Sequence, residues 1–164
     1  MLKIIDIMFI IHYILTVFEW SLRMPYREKT AWLSLFAMII TFGPYFAIVA
    51  LRTLPAEPMP HLHQLGLFAI TAIVQMLILA AGHLFLRTGS GPEASMPLDE
   101  RDQAIMRRSV SSAYYVLIAG MILVGCVMPF NSSGWSIVNA ALFMIIAAEA
   151  VHYGVVVFSY RRQA

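Results

Sequence analysis

Four long runs of apolar residues, separated by short polar segments, dominate the hydropathy pattern of the chain. They cover residues 30–51, 65–86, 110–128 and 135–158. Each run approaches or exceeds the roughly 20 residues that an α-helix needs to cross a bilayer. Only helices and closed barrels satisfy every backbone polar group in lipid, and these runs do not alternate with the period of two that a strand requires. The pattern therefore predicts an all-α integral membrane protein with four transmembrane helices.

The N-terminal segment, residues 1–23, is predicted to form an additional amphipathic helix. On a helical wheel its polar side chains gather on one side, and its isoleucines, Leu15 and Phe18 gather on the other. Asp6, His12 and Glu19 make insertion into lipid costly. We therefore favour a helix that lies in the membrane interface, and a fifth span is the alternative.

Composition and charge agree with a single membrane domain over residues 1–164. The chain is 60% hydrophobic and only 12% charged, whereas soluble domains carry about 25% charged residues. Its net charge of +2 is too small to indicate nucleic-acid binding. The basic residues cluster in the segments 21–29, 87–109 and 161–162, and the positive-inside rule places such segments in the cytoplasm. This topology gives four spans and a cytoplasmic C-terminus.

A charged stretch, LDERDQAIMRRSVSSAYYVL, begins at residue 98 and leads from the cytoplasmic linker, residues 87–109, into the third span. Acids come first, where the helix dipole favours negative charge, and two arginines and two tyrosines follow. The order predicts one continuous helix over residues 98–128, whose first turns project from the membrane. The alternative is that these turns dock a partner. The docking candidates are Asp99, Glu100, Asp102, Arg107 and Arg108.

Several motifs occur in a recognisable order along the chain. REKTAWLSLFAMIITFGPYF occupies residues 27–46, DERDQAIMRRSVSSAYYVLIAG residues 99–120, NAALF residues 139–143 and SYRR residues 159–162. Together they resemble a family of small bacterial inner-membrane proteins with a D-E-R-D-x-x-I-x-R-R box and a C-terminal Y-R-R tail. The resemblance implies four spans in the bacterial inner membrane, and it supplies no activity and no catalytic residues. Some relatives are encoded beside small helix-turn-helix regulators, which implies a regulatory pairing.

Polar side chains within the predicted spans are the candidates for a site, because ionisable groups in lipid are costly and usually functional. Glu149 and His152 are three residues apart and share one helix face, with Tyr153 beside them. His83 and Tyr114 lie near the cytoplasmic ends of their own spans. These five residues are therefore predicted to form one layer that faces the cytoplasm.

No cofactor is predicted, although three chemistries remain open for this layer. Glu149, His152 and His83 have the residue types of a metal site. Any two of His12, His83 and His152, which lie on different helices, would suffice as axial ligands of a b-type haem. Glu149 and His152 would also suit a proton relay or a small polar ligand. The alternative to all three is a set of structural polar contacts between helices.

The sequence carries no Gly-rich phosphate loop, no H-E-x-x-H and no nucleophile elbow. The leading hypothesis is therefore a non-enzymatic accessory or structural subunit, or interaction partner, of a larger membrane assembly. Its partners in the lipid bilayer would be other membrane-protein subunits or a second copy. A first alternative is a redox or transport module that uses His83, Glu149 and His152. A second is a membrane-tethered regulator that binds a soluble factor through residues 98–108.

Overall fold

The computed structural model describes residues 24–51, 62–132 and 134–162. These residues form four long helices: α1 (Tyr26–Ala50), α2 (Leu62–Gly89), α3 (Glu100–Ile122) and α4 (Trp135–Arg162). A short 3-10 helix, Gly91–Ser95, lies between α2 and α3. Within the described ranges there is no β-strand. The predicted all-α fold is confirmed, and the amphipathic helix predicted for residues 1–23 lies outside the described residues.

All four helices are long and apolar enough to cross a membrane. The third is a continuous helical run, Glu100–Phe130, of 31 residues, as the charge order predicts. At about 1.5 Å per residue such a helix measures about 45 Å, against a hydrocarbon core of about 30 Å. Its charged first turns therefore extend beyond the apolar part of the bundle.

The far end of this run departs from α-helical geometry because of Pro129. A proline has no backbone N–H, and its ring would clash with the carbonyl four residues earlier. The chain widens into a π-helical turn at Leu123–Val127 and then tightens into a 3-10 turn at Met128–Phe130. Gly134, with a φ of 57°, turns the chain into α4.

The helix α1 is the centre of the bundle. It packs against α2 and α4, and α3 packs mainly on α4. One third of the most apolar stretch of α1 is buried, compared with 11% of the corresponding stretches of α2 and of the third span. Most of the apolar surface of the outer helices therefore faces outward, where lipid is the natural solvent.

Two glycines allow the helices to approach closely. A Cβ atom built on Gly120 of α3 would lie only 2.9 Å from Cβ of Met144 on α4. A Cβ atom on Gly82 of α2 would lie 2.5 Å from Cδ2 of Leu33 on α1. Small residues at such crossings are a common means of packing helices in membranes, where contact rather than water exclusion drives association.

Buried polar pairs link α1 to both of its neighbours. Tyr45 is only 1% exposed, and its hydroxyl donates a 2.6 Å hydrogen bond to Oδ1 of Asn139 on α4. The Thr41 hydroxyl lies 2.6 Å from Gln75 Oε1 on α2. In a span such bonds replace the contacts that water would otherwise make, so each amide oxygen has a partner inside the bundle.

One end of the bundle carries all of the described Lys and Arg residues. It is the end at which α1 and α3 begin and α2 and α4 finish, and we name it the basic end. The residues are Arg27, Lys29, Arg87, Arg101, Arg107, Arg108, Arg161 and Arg162. The structure therefore gathers at one end the three basic segments that the sequence places on one side of the membrane.

Candidate functional site

At the basic end, one side chain from α1 and one from α4 meet at a carboxylate on α3. Nη1 of Arg27 on α1 lies 3.3 Å from Oδ2 of Asp102 on α3. The Tyr160 hydroxyl, on α4, donates a short hydrogen bond to the other oxygen, Oδ1. We name Arg27, Asp102 and Tyr160 the clasp. It fastens the starts of α1 and α3 to the last turn of α4.

A second ion pair strengthens the contact between α1 and α4. Nε of Arg161 lies 3.4 Å from Oε1 of Glu28, whose side chain is only 8% exposed. The Arg161 guanidinium also lies over the Trp32 ring, 4.9 Å from its centroid. A carboxylate that is so far removed from water requires a cation nearby, and Arg161 supplies it.

The positions of these charges follow from local helix chemistry. Asp99 is the N-cap of α3, and its carboxylate accepts a 2.7 Å hydrogen bond from the backbone N–H of Asp102. Asp102 and Glu28 lie in the first turns of their helices, where the dipole favours acids. Arg161 lies in the last turn of α4, where the helix dipole favours basic side chains. The helix ends thus place opposite charges side by side.

The five predicted docking residues divide into two groups. Asp99 and Asp102 are engaged within the protein, as the α3 cap and the centre of the clasp. Glu100, Arg107 and Arg108 are exposed, and so is Asp99, although its carboxylate caps α3. The charged stretch is therefore partly an internal fastening, and four of the five side chains are accessible for a contact outside the chain.

A small cleft lies between α1, α3 and α4 beside the clasp. Its volume is about 90 Å³. Its polar lining includes Arg27, Thr30, Asp102, His152, Tyr153 and Tyr160. The ring of His152 packs edge-on against Tyr153, with centroids 4.9 Å apart. The cleft connects the clasp with two residues of the predicted polar layer.

The other members of that layer lie elsewhere. Glu149 is exposed on α4, and no hydrogen bond or ion pair reaches it from the described residues. His83 is exposed on α2, with Nδ1 2.8 Å from the Leu79 carbonyl oxygen of its own helix. Tyr114 is exposed on α3 beside Tyr115. The structure thus brings together His152 and Tyr153, and leaves Glu149, His83 and Tyr114 outside the cleft.

Over the described ranges, no three His, Cys, Asp or Glu side chains lie close enough to hold one metal ion. His12, one of the three histidines considered for haem, lies outside those ranges. Haem ligation therefore stays a prediction.

Sequence reasoning missed two members of the clasp, Arg27 and Tyr160, and both members of the second ion pair, Glu28 and Arg161. A signal for them was present, because the predicted topology brings the starts of the first and third spans to the end of the fourth. Opposite charges at helix ends that meet in space are expected to pair. The REK, DERD and YRR motifs are those that the structure joins.

The chemistry of the clasp is that of a fastening, since its carboxylate forms an ion pair with Arg27 and accepts a hydrogen bond from the Tyr160 hydroxyl. Glu149 differs, because it is an ionisable side chain without a partner among the described residues.

Comparison of the chain with protein-family models, curated proteins and solved structures gives no match. The function is therefore inferred from the geometry and chemistry of these residues.

Proposed function

We propose that the protein is a non-enzymatic interaction subunit of a larger membrane assembly. In this proposal the α4 face around Glu149 contacts a transmembrane helix of another protein. The observation that carries the proposal is the position of Glu149. It lies at the middle of α4 (Trp135–Arg162), and its side chain is exposed.

The energetic reason is the cost of an ionisable group that faces lipid. At the centre of a transmembrane helix a charged side chain costs about 2.5–3.5 kcal/mol on insertion scales. Glu149 recovers none of this cost within the described residues. A neighbouring helix that offers a hydrogen-bond donor at the same depth would recover part of it.

The surroundings of Glu149 specify the chemistry of the partner. Ile145 and Val138 precede it on the same stripe of α4 and are 45% and 39% exposed. The face is therefore apolar with one acceptor at mid-depth. Its complement is an apolar helix with one Arg, Lys, His, Ser or Thr at that level.

A different protein fits this face better than a second copy does. The described Lys and Arg residues all lie at the basic end, away from the middle of α4. A second copy that packs through the same face would bring none of these cations to Glu149, and the described histidine of α4, His152, lies about one turn away. Charge complementarity therefore favours a partner with its own mid-membrane donor.

The clasp supports this role because it fixes the helix that presents Glu149. The clasp joins α4 to α1 and α3, and the Glu28–Arg161 pair joins it again to α1. A rigid helix loses less entropy when a partner binds. The short α3–α4 connection leaves no room for a soluble catalytic unit there.

The orientation and the membrane belong to the same proposal. The positive-inside rule places the basic end, with the C-terminal end of α4, in the cytoplasm. The resemblance of the motifs to small bacterial proteins supports the bacterial inner membrane as the location.

The test is gentle-detergent purification of the full-length chain from its native membrane, with Glu149→Leu beside the wild type. Glu100→Leu is the control, because it removes an exposed glutamate at the basic end, outside the bilayer. We expect wild type and Glu100→Leu to co-purify with one membrane protein in a fixed ratio, and Glu149→Leu to lose it. A wild-type monomer or homo-oligomer, or retention of the partner by Glu149→Leu, would contradict the proposal.

Both alternatives from the sequence remain predictions with direct tests. A visible spectrum of the same preparation would show a b-type haem by its absorption bands, and metal analysis would show a bound ion. The regulator hypothesis now depends on the exposed residues Asp99, Glu100, Arg107 and Arg108, since Asp102 is engaged in the clasp. Charge reversal of Glu100, which leaves the basic residues that set the topology in place, should weaken binding of a soluble factor without affecting insertion.

A further inference from the structure

A shallow groove on the outward surface of α3 combines one cation, two hydroxyl groups and apolar side chains. Its volume is about 440 Å³, within the range of about 300–1,000 Å³ that is usual for sites of small molecules. The residues that line it all belong to α3 and are all exposed: Met106, Arg107, Val110, Ser111 and Tyr114. We name it the α3 groove.

The cation of this groove, Arg107, has no counter-charge within the part of the chain that the structure describes. No ion pair or hydrogen bond from a described residue reaches it, and the same is true of its neighbour Arg108. Arg27 and Arg161, by contrast, are paired with carboxylates of the protein. The two adjacent arginines are therefore available to an anion from outside the chain, and a guanidinium group is well suited to bind a phosphate through two parallel hydrogen bonds.

The residues of the groove are ordered along α3 as the parts of a phospholipid are ordered across a leaflet. Ser111 and Tyr114 follow Arg107 on the same helical face, and Ile118, which is 39% exposed, continues that face. The rise from Arg107 to Ser111 is about 6 Å, which matches the headgroup region of about 5–7 Å on each side of the hydrocarbon core. With Arg107 at the phosphates, Ser111 therefore lies near the glycerol esters and Ile118 among the acyl chains.

The depth of the groove favours a lipid over a soluble protein. Val110, Ser111 and Tyr114 belong to the apolar run, residues 110–128, with which this helix would cross the membrane. A soluble protein would reach the arginines but not these three side chains. The groove also opens at the basic end, where clustered Lys and Arg residues attract anionic lipids.

We propose that the α3 groove binds one anionic phospholipid of the leaflet at the basic end. The Arg107 guanidinium pairs with the phosphate, the hydroxyl groups of Ser111 and Tyr114 donate hydrogen bonds to the ester oxygens, and an acyl chain follows the apolar face past Val110. This site goes beyond the role of an interaction subunit and does not depend on it, because it lies on α3 rather than on the α4 face around Glu149.

The test is native mass spectrometry of the full-length protein in detergent micelles, without any partner. The protein is titrated with phosphatidylglycerol or with phosphatidylcholine of the same acyl chains, and the bound lipid is counted at each concentration. Glycerol 3-phosphate is the third probe, since it offers the phosphate group without the chains.

Two pairs of adjacent residues supply matched variants. Arg107 lines the groove and Arg108 does not, yet Arg107→Gln and Arg108→Gln each remove one exposed cation and alter the topology signal equally. Tyr114 lines the groove and Tyr115 does not, and Tyr114→Phe and Tyr115→Phe each remove one exposed hydroxyl group.

We expect the wild type to bind one phosphatidylglycerol at least about 10-fold more tightly than phosphatidylcholine. Arg107→Gln should weaken this binding by about 10-fold or more, as the loss of a charged hydrogen bond does. Arg108→Gln should weaken it by no more than about fivefold, the contribution of one cation near an anionic surface. Tyr114→Phe should weaken it by about 3–10-fold, and Tyr115→Phe should leave it unchanged.

Equal affinity for the two lipids, or equal losses in Arg107→Gln and Arg108→Gln, would overturn the proposal. If the arginines serve a soluble protein instead, the two lipids will bind equally, and the proposal fails in that way. Displacement of phosphatidylglycerol by an equal concentration of glycerol 3-phosphate would also overturn it, because the site would then be one for a free phosphate.

Discussion

Arg27, at the start of α1, forms an ion pair with Asp102, in the first turn of α3, with 3.3 Å between Nη1 and Oδ2. The two side chains are 25% and 19% exposed, so the pair is shielded from solvent over most of its surface. Tyr160 completes the clasp by donating to the same carboxylate. Loss of the clasp would therefore weaken the contacts among three helices at the basic end.

Asp102→Asn should lower the free energy of unfolding by about 1–2 kcal/mol. This value lies between those for exposed pairs and for fully buried pairs, because the clasp is intermediate in exposure. The change removes the negative charge beside Arg27 and weakens the acceptor for Tyr160. The measurement is unfolding by sodium dodecyl sulfate from mixed micelles.

Glu100→Gln is the matched control, since Glu100 lies in the same turn of α3 but is exposed. It should change the stability by less than about 0.5 kcal/mol. A double-mutant cycle with Arg27→Gln isolates the coupling of the pair. A coupling energy indistinguishable from zero would refute the view that the pair stabilises the bundle.

Tyr160→Phe should cost about 1.5 kcal/mol, at the lower end for a hydrogen bond to a charged group, because Asp102 keeps its ion pair. The same unfolding assay applies. Tyr114→Phe, at a tyrosine that is 56% exposed, serves as the control and should be neutral. Equal effects of the two changes would mean that the hydroxyl of Tyr160 contributes nothing specific.

Gly120→Ala should destabilise the contact between α3 and α4 by about 1–3 kcal/mol, the usual cost of overpacking. The new methyl group would meet Met144 at its Cβ atom, which cannot move without its helix. Gly125→Ala, with no atom within 4 Å of the added carbon, is the control on the same helical run. If both variants unfold like the wild type, α3 and α4 do not approach each other closely at Gly120 and Met144.

Tyr45→Phe should cost about 0.6–2 kcal/mol, since it leaves the buried amide of Asn139 without its hydrogen bond. Tyr115→Phe, at an exposed tyrosine, is the control. Asn139→Leu combined with Tyr45→Phe should recover part of the loss, because no unpaired amide then remains. Failure of the double variant to recover any stability would argue against this explanation.

Much of the fold is predictable from hydropathy and charge order, because both are properties of a single helix and do not depend on its neighbours. The four spans follow from run length, and the long third helix follows from the order of the charged residues that lead into it. Close contacts are less predictable, since they depend on how the helices rotate about their axes. Gly43 and Gly154 carry small-x-x-x-small spacing but have open space around them, whereas Gly82 and Gly120 make the close approaches.

The candidate site shows the same limit. The i to i+3 relation between Glu149 and His152 is a property of one helix, and it was predictable. Whether each faces the bundle depends on the rotation of α4, which exposes Glu149 and turns His152 to the cleft. The clasp needed the topology as well as the charges, because its members come from three helices.

The sidedness is testable by cysteine labelling, after the single cysteine, Cys126, is replaced by alanine. Ser95→Cys lies near the basic end and Asn131→Cys at the opposite end, and both positions are exposed. In intact cells a membrane-impermeant maleimide should label Asn131→Cys, and Ser95→Cys only after permeabilisation. The reverse pattern would place the basic end outside the cytoplasm.

The most direct test of the central claim is photo-crosslinking in the native membrane, with a photoreactive amino acid in place of Ile145, one turn from Glu149. Ile118 on α3, which is also partly exposed, is the control position. We predict that position 145 captures a transmembrane helix of one other protein and that position 118 does not capture it. Capture of lipid alone at position 145, or of the same protein at both positions, would contradict the account.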